Sequence, residues 1–305
     1  MKLLLTGAYK WTTEQIEHLK KCGWQVLYVE REDSNIEFQV EDIDAIVCNW
    51  FFVYHDICEF KQLKCIQILS AGLDRVPVDY VNKNNIALFS ARGVYSIPMA
   101  EFTLCSVLQL YKQSAYFQKK QMNKTWEKNR NIMELYNKRI CIIGVGSVGI
   151  EVGKRFAAFT DEVYGIDIAP RQNPYMKKVY SLDDLNREIE VSDVIVLTLP
   201  LTDVTRNMFS KEKFDKMKKN SIFVNIARGG LVDEDALLDA LDEKLLGAAL
   251  DVFQTEPLSE DSLLWTKNNI LITPHNSFVS EKNDERMWEI IKENFQSPQR
   301  FVETS

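Results

Sequence analysis

The sequence predicts an α/β protein built from two doubly wound parallel-sheet domains. Its 305 residues exceed the usual size of a single hydrophobic core, so two domains are the default expectation. Short apolar runs without polar alternation recur along the chain, and such runs are typical of strands buried on both faces of a parallel sheet. Helical patterns separate the runs, which indicates βαβ units with right-handed crossovers.

The first series of elements contains four predicted strands: "KLLLT" (2–6), "QVLYVE" (25–30), "AIVCNW" (45–50) and "CIQIL" (65–69). Between the first two strands, "WTTEQIEHLKKCG" predicts a helix. Thr12 or Thr13 is the expected N-cap, because a hydroxyl oxygen can accept a hydrogen bond from an amide of the first turn. Gly23 is the expected stop, because glycine readily adopts the conformation that ends helices.

The pattern changes at Ile97, where residues 97–122 form a long helical pattern without an internal breaker. Pro98 suits its first turn. A last helix is predicted at roughly 280–296, and the long helix is expected to bridge the two domains. The second series contains six predicted strands: "RICIIG" (139–144), "EVYGID" (162–167), "DVIVLTL" (193–199), "SIFVNI" (221–226), "LGAALDV" (246–252) and "NILIT" (269–273).

Composition and charge exclude several classes of function. A net charge of −7 argues against nucleic-acid or anionic-membrane partners, which require a basic surface. No apolar stretch reaches the ~20 residues that a membrane span requires. The six cysteines include no CxxC pair, so neither a metal site nor a disulfide framework is expected. The first residues lack a signal-peptide core, and a cytoplasmic location is the simplest expectation.

A glycine-rich turn follows the first strand of the second series. Gly144, Gly146 and Gly149 have GxGxxG spacing, after a strand and at the start of a helix. The three glycines would provide a tight turn, close approach of the backbone to a pyrophosphate, and close packing of helix on strand. The amides at the helix start, at Ser147 and Val148, would meet the phosphates. The alternative is a purely structural glycine turn.

Asp167 ends the next strand, 18 residues after Gly149. A carboxylate at this position accepts hydrogen bonds from ribose hydroxyls and repels a 2′-phosphate, so the sequence favours NAD over NADP. Arg171 lies close enough in sequence to leave the choice between the two cofactors open.

Charged side chains follow three successive strands of the second series. Arg228 follows the fourth strand, Asp251 and Glu256 follow the fifth, and His275 follows the sixth. Each alone has an ordinary alternative: a surface arginine, a helix-capping aspartate, a solvated glutamate or a structural histidine. Ligands of open α/β sheets bind at the carboxyl ends of the strands, so together these residues predict an active site.

Five ordered segments resemble the NAD-dependent D-2-hydroxyacid dehydrogenases: "GVGSVG", "LPLTDVTRNMF", "FVNIARGGLVDEDAL", "GAALDVFQTEPL" and "LLWTKNNILITPH". The resemblance covers roughly residues 65–290 closely and the N-terminal quarter loosely. It implies a Rossmann nucleotide-binding domain at 97–280 and a flavodoxin-like substrate domain, discontinuous over 1–96 and 281–305. It also implies NAD as cofactor and a homodimer formed through the nucleotide-binding domain.

The resemblance also implies roles for the residues at the strand ends. Arg228 would bind the substrate carboxylate and polarise the C2 carbonyl, and His275 would donate a proton to the carbonyl oxygen. Glu256 would hydrogen-bond the imidazole, and Asp251 would lie near the nicotinamide. Further cofactor contacts are expected at the two residues before the arginine, Ile226 and Ala227. Further substrate contacts are expected at two backbone amides of the first domain, those of Ala71 and Gly72.

One stretch departs from the family pattern. Members acting on 3-phosphoglycerate usually carry an Arg-Ser-x-Thr-like segment after the third strand of the substrate domain, whereas this chain has "CNWFFVYHD" (48–56). The loss of that cation and the presence of Trp50, Phe51 and Phe52 suggest a pocket for an uncharged, apolar substrate side chain. Core packing of the three rings is the alternative.

Three functions are compatible with these residues. The first is reversible NAD-dependent interconversion of a small 2-oxoacid and a (2R)-hydroxyacid. The second is a glyoxylate or hydroxypyruvate reductase that works mainly in the reductive direction. The third is a non-catalytic NAD-sensing scaffold, as in the corepressors that share this fold. The fold alone does not decide among them.

Overall fold

The computed structural model describes residues 1–301, which divide into two compact units. The first unit combines Met1–Tyr95 with the chain from Ser280 onward, and the second is Ser96–Val279. Each unit contains one sheet in which every pairing is parallel, which confirms the predicted fold class. No helix within residues 1–301 combines the length and the apolar character that a membrane crossing needs.

The first unit has a five-stranded sheet in the order β2-β1-β3-β4-β5. This is the flavodoxin-like order of doubly wound folds. Its strands are β1 (Lys2–Thr6), β2 (Gln25–Val29), β3 (Ala45–Cys48), β4 (Cys65–Ile68) and β5 (Ala87–Phe89). Its helices are α1 (Thr13–Lys21), α2 (Phe51–Tyr54), α3 (Val78–Lys83) and, after the second unit, α10 (Asn283–Asn294).

The second unit has a seven-stranded sheet in the order β12-β11-β10-β9-β6-β7-β8. The order reverses beside its first strand, as in dinucleotide-binding folds. Its strands are β6 (Ile140–Ile143), β7 (Val163–Ile166), β8 (Lys178–Tyr180), β9 (Val194–Leu197), β10 (Ile222–Asn225), β11 (Gly247–Leu250) and β12 (Ile270–Ile272). Its helices are α4 (Ser96–Tyr111), α5 (Ser114–Met122), α6 (Ser147–Phe156), α7 (Leu185–Val191), α8 (Lys211–Lys216) and α9 (Glu234–Glu243).

Apolar layers cover both faces of each sheet. In β6, Ile140 and Ile142 belong to one layer, whereas Cys141 and Ile143 belong to the other. Successive side chains of a strand point to opposite faces, so a strand buried on both sides is apolar at nearly every position. This is why the central strands could be recognised as continuous apolar runs.

Three edge strands are three residues long, and two of them, β5 and β8, were not predicted, whereas β12 was. None of the three contains a fully buried residue, since each has a neighbouring strand on one side only. β12 consists of isoleucine and leucine, whereas β5 contains an alanine and β8 a lysine, and both of these residues are depleted in strands.

The predicted continuous helix over 97–122 is wrong at its middle. α4 ends at Tyr111 and α5 begins at Ser114, because Gln113 adopts a left-handed conformation with φ +52°. The Tyr111 carbonyl accepts a hydrogen bond from the amide of Met133 at 3.0 Å, and Lys112 Nζ donates to the Met133 carbonyl at 2.7 Å. A segment distant in sequence thus ends the helix.

The first helix begins and ends as predicted. Thr12 is the N-cap of α1: its hydroxyl accepts from the Gln15 amide, and the Gln15 side chain accepts from the Thr12 amide. This reciprocal pair is a capping box. Gly23, just after the C-cap, has φ +100° and ends the helix.

Candidate active site

The glycine turn between β6 and α6 uses its three glycines differently. A Cβ added at Gly144, which has φ +96°, would lie 2.7 Å from the Leu199 amide nitrogen. A Cβ at Gly149 would lie 2.1 Å from the Gly144 carbonyl oxygen. A Cβ at Gly146 would meet nothing within 4 Å. The first and third glycines are therefore required by the packing of the protein itself, and the second leaves open space at the start of α6.

Asp167 binds the glycine turn. Its Oδ2 accepts a hydrogen bond from the Val145 amide at 2.7 Å, and its Oδ1 accepts from the Ala169 amide at 2.9 Å. Each carboxylate oxygen can accept a second hydrogen bond, such as one from a ribose hydroxyl. The open space at Gly146, the amides at the start of α6 and this carboxylate together suit a dinucleotide.

The turn that carries Arg228 is held by the side chain of buried Asn225. The Asn225 amide group donates to the Arg228 carbonyl at 2.9 Å, and its oxygen accepts from the Ala227 amide at 3.1 Å. Ile226 and Ala227 are buried in this turn. A Cβ at Gly229 would lie 1.9 Å from the carbonyl carbon of Phe253, so the two loops pack backbone against backbone. Arg228 is partly buried, and its Nη1 donates to the Ala227 carbonyl at 2.7 Å.

His275 and Glu256 form a hydrogen-bonded pair. The imidazole Nδ1 lies 2.8 Å from Glu256 Oε2, and Glu256 Oε1 accepts from the Phe253 amide at 3.0 Å. Because a carboxylate only accepts, the pairing assigns the proton of the ring to Nδ1 and leaves Nε2 for exchange with a ligand. The His275 side chain is 40% exposed and that of Glu256 35%, so the pair is accessible to a small molecule.

Asp251 organises the turn on which His275 lies. Its side chain is fully buried and accepts from the Thr273 hydroxyl at 2.6 Å and from the amides of Asn276 and Ser277 at 2.7 and 3.0 Å. Its carbonyl accepts from the His275 amide at 2.8 Å. His275 has φ +50°, a conformation that L-residues rarely adopt, so these bonds hold a strained residue. The expected contact of Asp251 with a nicotinamide stays a prediction.

The structure brings the residues of the second unit to one edge of the sheet. β10, β11 and β12 are adjacent and parallel, so Arg228, Asp251, Glu256 and His275 all follow neighbouring strand ends. The sequence predicts one shared edge for these residues, and the strand order provides it.

Ala71 and Gly72 lie in the first unit, in the loop after β4. Ala71 is exposed, and the Ser70 hydroxyl donates to the Gly72 carbonyl at 2.7 Å. The loop after the neighbouring β3 carries the three aromatic residues. Phe51 is fully buried and stacked on His55, as the core-packing alternative expects for it, whereas Trp50 remains 43% exposed. Phe52 packs edge-on against Phe51 and Phe60.

Three polar residues that shape the site were not predicted. Asn225 holds the Arg228 turn, Thr273 bonds Asp251, and the Thr198 hydroxyl donates to the Gly144 carbonyl at 2.5 Å. They share a signal, since each stands at or just after the end of an apolar strand. A polar residue at that position is a candidate anchor for the loop that follows.

Comparison with known proteins agrees with this geometry. Residues 104–277 match the family model described as "D-isomer specific 2-hydroxyacid dehydrogenase, NAD binding domain". Among curated proteins, the chain is 34% identical over 260 residues to D-3-phosphoglycerate dehydrogenase of Methanocaldococcus jannaschii, a match covering 84% of this chain and 49% of that protein. It is 32% identical over 275 residues to a probable 2-ketogluconate reductase of Dictyostelium discoideum, covering 85% of this chain and 81% of that protein.

A solved structure with the same fold is D-lactate dehydrogenase of Aquifex aeolicus in complex with NAD and lactic acid. It superposes with a TM-score of 0.77 at 26% identity and covers 99% of this chain and 96% of that one. The chain spans about half the length of the phosphoglycerate dehydrogenase relative, but nearly all of this structural neighbour. The chain therefore belongs to the D-isomer-specific 2-hydroxyacid dehydrogenases, a family of oxidoreductases that act on CH–OH groups with NAD, and its second unit carries the NAD-binding domain of that family.

Proposed function

We propose that the chain reversibly reduces a small 2-oxoacid to the (2R)-hydroxyacid with NADH. The observation that carries the proposal is that Arg228, Glu256 and the glutamate-bonded imidazole of His275 lie in loops that follow three adjacent parallel strands. A cation to bind a carboxylate and an imidazole to exchange a proton are the groups that this reduction requires.

In the proposed reaction, His275 acts as general acid. With Nδ1 hydrogen-bonded to Glu256, the Nε2 proton moves to the carbonyl oxygen of the 2-oxoacid as C2 is reduced, and the alcohol O–H bond forms. In the reverse direction, Nε2 takes the proton back. Glu256 fixes the orientation of the ring, because its second oxygen is anchored on the Phe253 amide.

Arg228 is proposed to bind the substrate carboxylate. A planar guanidinium can bond both oxygens of a carboxylate at once, which fixes the orientation of the adjacent C2 carbonyl. We also assign substrate contacts to the backbone amides of Ala71 and Gly72 in the first unit. The Asn225 hydrogen bonds and the backbone packing at Gly229 determine where the Arg228 side chain starts.

The dinucleotide, when bound, supplies the hydride. We propose that Gly144, Gly146, Ser147, Val148 and Gly149 bind its pyrophosphate, and that Asp167 binds the ribose hydroxyls. Contacts at Ile226, Ala227 and Asp251 belong to the same proposal. Asp167→Ala should shift the cofactor preference about tenfold toward NADPH, since the loss of one good hydrogen bond to a charged group has that order of effect. An unchanged NADH/NADPH ratio would place the ribose contact elsewhere.

A turnover assay tests the proposal. NADH oxidation is measured with pyruvate, glyoxylate, hydroxypyruvate, 2-oxoisocaproate and 3-phosphohydroxypyruvate. A high kcat/KM for glyoxylate or hydroxypyruvate alone would identify a glyoxylate or hydroxypyruvate reductase. Tight NADH binding without turnover of any 2-oxoacid would contradict catalysis and favour the non-catalytic scaffold.

We further propose a cytoplasmic homodimer that associates through the second unit. Large apolar side chains are exposed near the end of α5, including Met122 at 76% and Trp126 at 99%. Exposed apolar surface of this kind often marks a protein interface. Six free cysteines suit a reducing compartment. Sedimentation velocity of the wild type and of Trp126→Asp tests the dimer, and a wild-type monomer would contradict it.

A further inference from the structure

The loops after β3 and β4 of the first unit lie side by side. The two strands are adjacent and parallel, with Cys48 paired to Ile68, so both loops leave the carboxyl edge of the sheet. This edge is where open α/β sheets bind ligands. The loop after β4 carries Ala71 and Gly72, to which the proposed function assigns the substrate carboxylate.

Arg75 joins the two loops. Its guanidinium carbon lies 3.4 Å above the centroid of the Trp50 ring, and its Nη1 donates to Asn49 Oδ1 at 3.1 Å. Arg75 is partly buried and Trp50 is 43% exposed, so the stacked pair lies at the surface of the sheet edge. Stacking on an indole ring restricts a guanidinium to one plane, which prepares it for directional hydrogen bonds.

Glu32 fixes the backbone on which this pair rests. Its Oε1 accepts from the Thr6 hydroxyl and from the Asn49 amide, both at 2.7 Å, and its Oε2 accepts from the Trp50 amide at 2.6 Å. One carboxylate from the β2 exit thus holds the ends of β1 and β3. These bonds fix the backbone of Asn49 and Trp50, the two residues that contact Arg75.

Arg75 supplies a cation where the "CNWFFVYHD" segment lacks one. The segment contains no lysine or arginine, and Arg75 reaches its Asn49 from the next loop. Arg75 follows Gly72 by three residues, a distance of at most about 11 Å along the chain. The two residues are therefore near enough for one small substrate to contact both.

We propose that Arg75 is a specificity-determining residue that binds a second anionic group of the substrate. The preferred substrates are then 2-oxoacids whose tail ends in a carboxylate, sulfonate or phosphate, rather than those with an apolar tail. This proposal rests on the proposed function. The competing reading is that Arg75 only joins the two loops, in which case its loss affects all substrates alike.

Substrate pairs with the same number of carbon atoms separate these readings. The pairs are oxaloacetate with 2-oxobutyrate, 2-oxoglutarate with 2-oxopentanoate, and 3-phosphohydroxypyruvate with hydroxypyruvate. For at least one pair, the wild-type kcat/KM should be higher for the member whose tail carries a second anionic group. Arg75→Ala should reduce that preference about 10- to 100-fold, the usual effect of losing a hydrogen bond between charged groups. The kcat/KM for the member without a tail anion should change little.

Two further variants complete the experiment. Arg75→Gln keeps a donor for Asn49 without the charge and should lose the preference as well, so it serves if the alanine variant fails to fold. Arg31→Ala removes a positive charge from an exposed arginine of the same unit that is paired with Asp33, and should leave the preference unchanged.

The results distinguish the inference from the function on which it rests. An equal fall of kcat/KM for both members of every pair would show a purely structural role for Arg75. Equal wild-type values of kcat/KM for the members with and without a tail anion would overturn the inference and leave the proposed function intact. A wild type without turnover of any 2-oxoacid would overturn both.

Discussion

The carboxyl edges of the two sheets are built in different ways. In the second unit, the loops are fixed by buried groups: the Asp251 carboxylate is fully buried, and Gly229 packs directly on the Phe253 backbone. In the first unit, the loops are joined by partly exposed side chains, of which the Trp50–Arg75 stack is the clearest. Buried hydrogen bonds are costly to break, whereas contacts at the surface can be exchanged with water.

This difference separates the chemistry from the selection of the substrate. The proposed proton donor and the proposed carboxylate-binding arginine must keep their geometry to within a fraction of an ångström, which requires loops held by the core. The groups proposed to recognise the substrate tail lie on side chains that can change without disturbing the sheet. The four predictions below test this contrast, from the largest expected effect to the smallest.

His275→Gln should lower kcat about 10²- to 10⁴-fold, the range that general acid–base catalysis contributes. The glutamine can still bond Glu256 but has no proton to deliver at the position of Nε2. Steady-state NADH oxidation measures kcat, and fluorescence titration of NADH should give an affinity close to that of the wild type. Normal turnover in this variant would refute the role of His275.

Gly149→Ala and Gly146→Ala form a matched pair in one turn. The Gly149 variant should lose roughly 1–3 kcal/mol of unfolding free energy, because its Cβ would lie 2.1 Å from a carbonyl oxygen. The Gly146 variant should keep its stability to within about 1 kcal/mol, since its Cβ meets nothing within 4 Å. Its NADH affinity should fall instead. Urea unfolding and NADH titration measure both quantities, and equal destabilisation of the two variants would contradict the division of roles.

Asp251→Asn should destabilise the chain by about 1–3 kcal/mol, because one buried oxygen that accepts backbone amides becomes an NH₂ group. If Asp251 positions His275, kcat should fall while the KM for NADH changes little. A raised KM for NADH with unchanged kcat would indicate a cofactor contact instead. The split between the two parameters separates the readings.

Glu32→Gln is the counterpart in the first unit and should cost less, about 0.5–1.5 kcal/mol. The glutamine oxygen can still accept from Thr6 and Asn49, and only the bond to the Trp50 amide is lost. Urea unfolding measures the difference. A loss as large as that of Asp251→Asn would contradict the contrast between the two sheet edges.

Much of the fold could be predicted from the sequence, for local reasons. The central strands are buried on both faces and are apolar at nearly every position, as in "ICII" of β6. The short edge strands β5 and β8 were not predicted, because their three residues include an alanine and a lysine, respectively, which are depleted in strands. The break at Gln113 could not be predicted, because the Met133 amide that bonds the end of α4 is distant in sequence.

The candidate site follows the same division. Arg228, Glu256 and His275 could be selected because each lies in the loop that follows an apolar strand, and parallel strands have their carboxyl ends at one edge. The Asp251 bonds to the His275 turn could not be inferred, since they depend on β11 and β12 being neighbours. The sequence left the role of the aromatic segment "CNWFFVYHD" open, because a run of three aromatic residues does not show which of them faces the core.

The sequence by itself determined the alternation of strands and helices, the glycine turn and the polar residues at the strand exits, because spacing and hydrophobicity are properties of neighbouring residues. Only the tertiary structure decided which exits are adjacent, that Asp251 holds the His275 turn, and that Arg75 stacks on Trp50. Those contacts join residues far apart in the chain, and the order of strands in the sheets, which no local pattern encodes, brings them together.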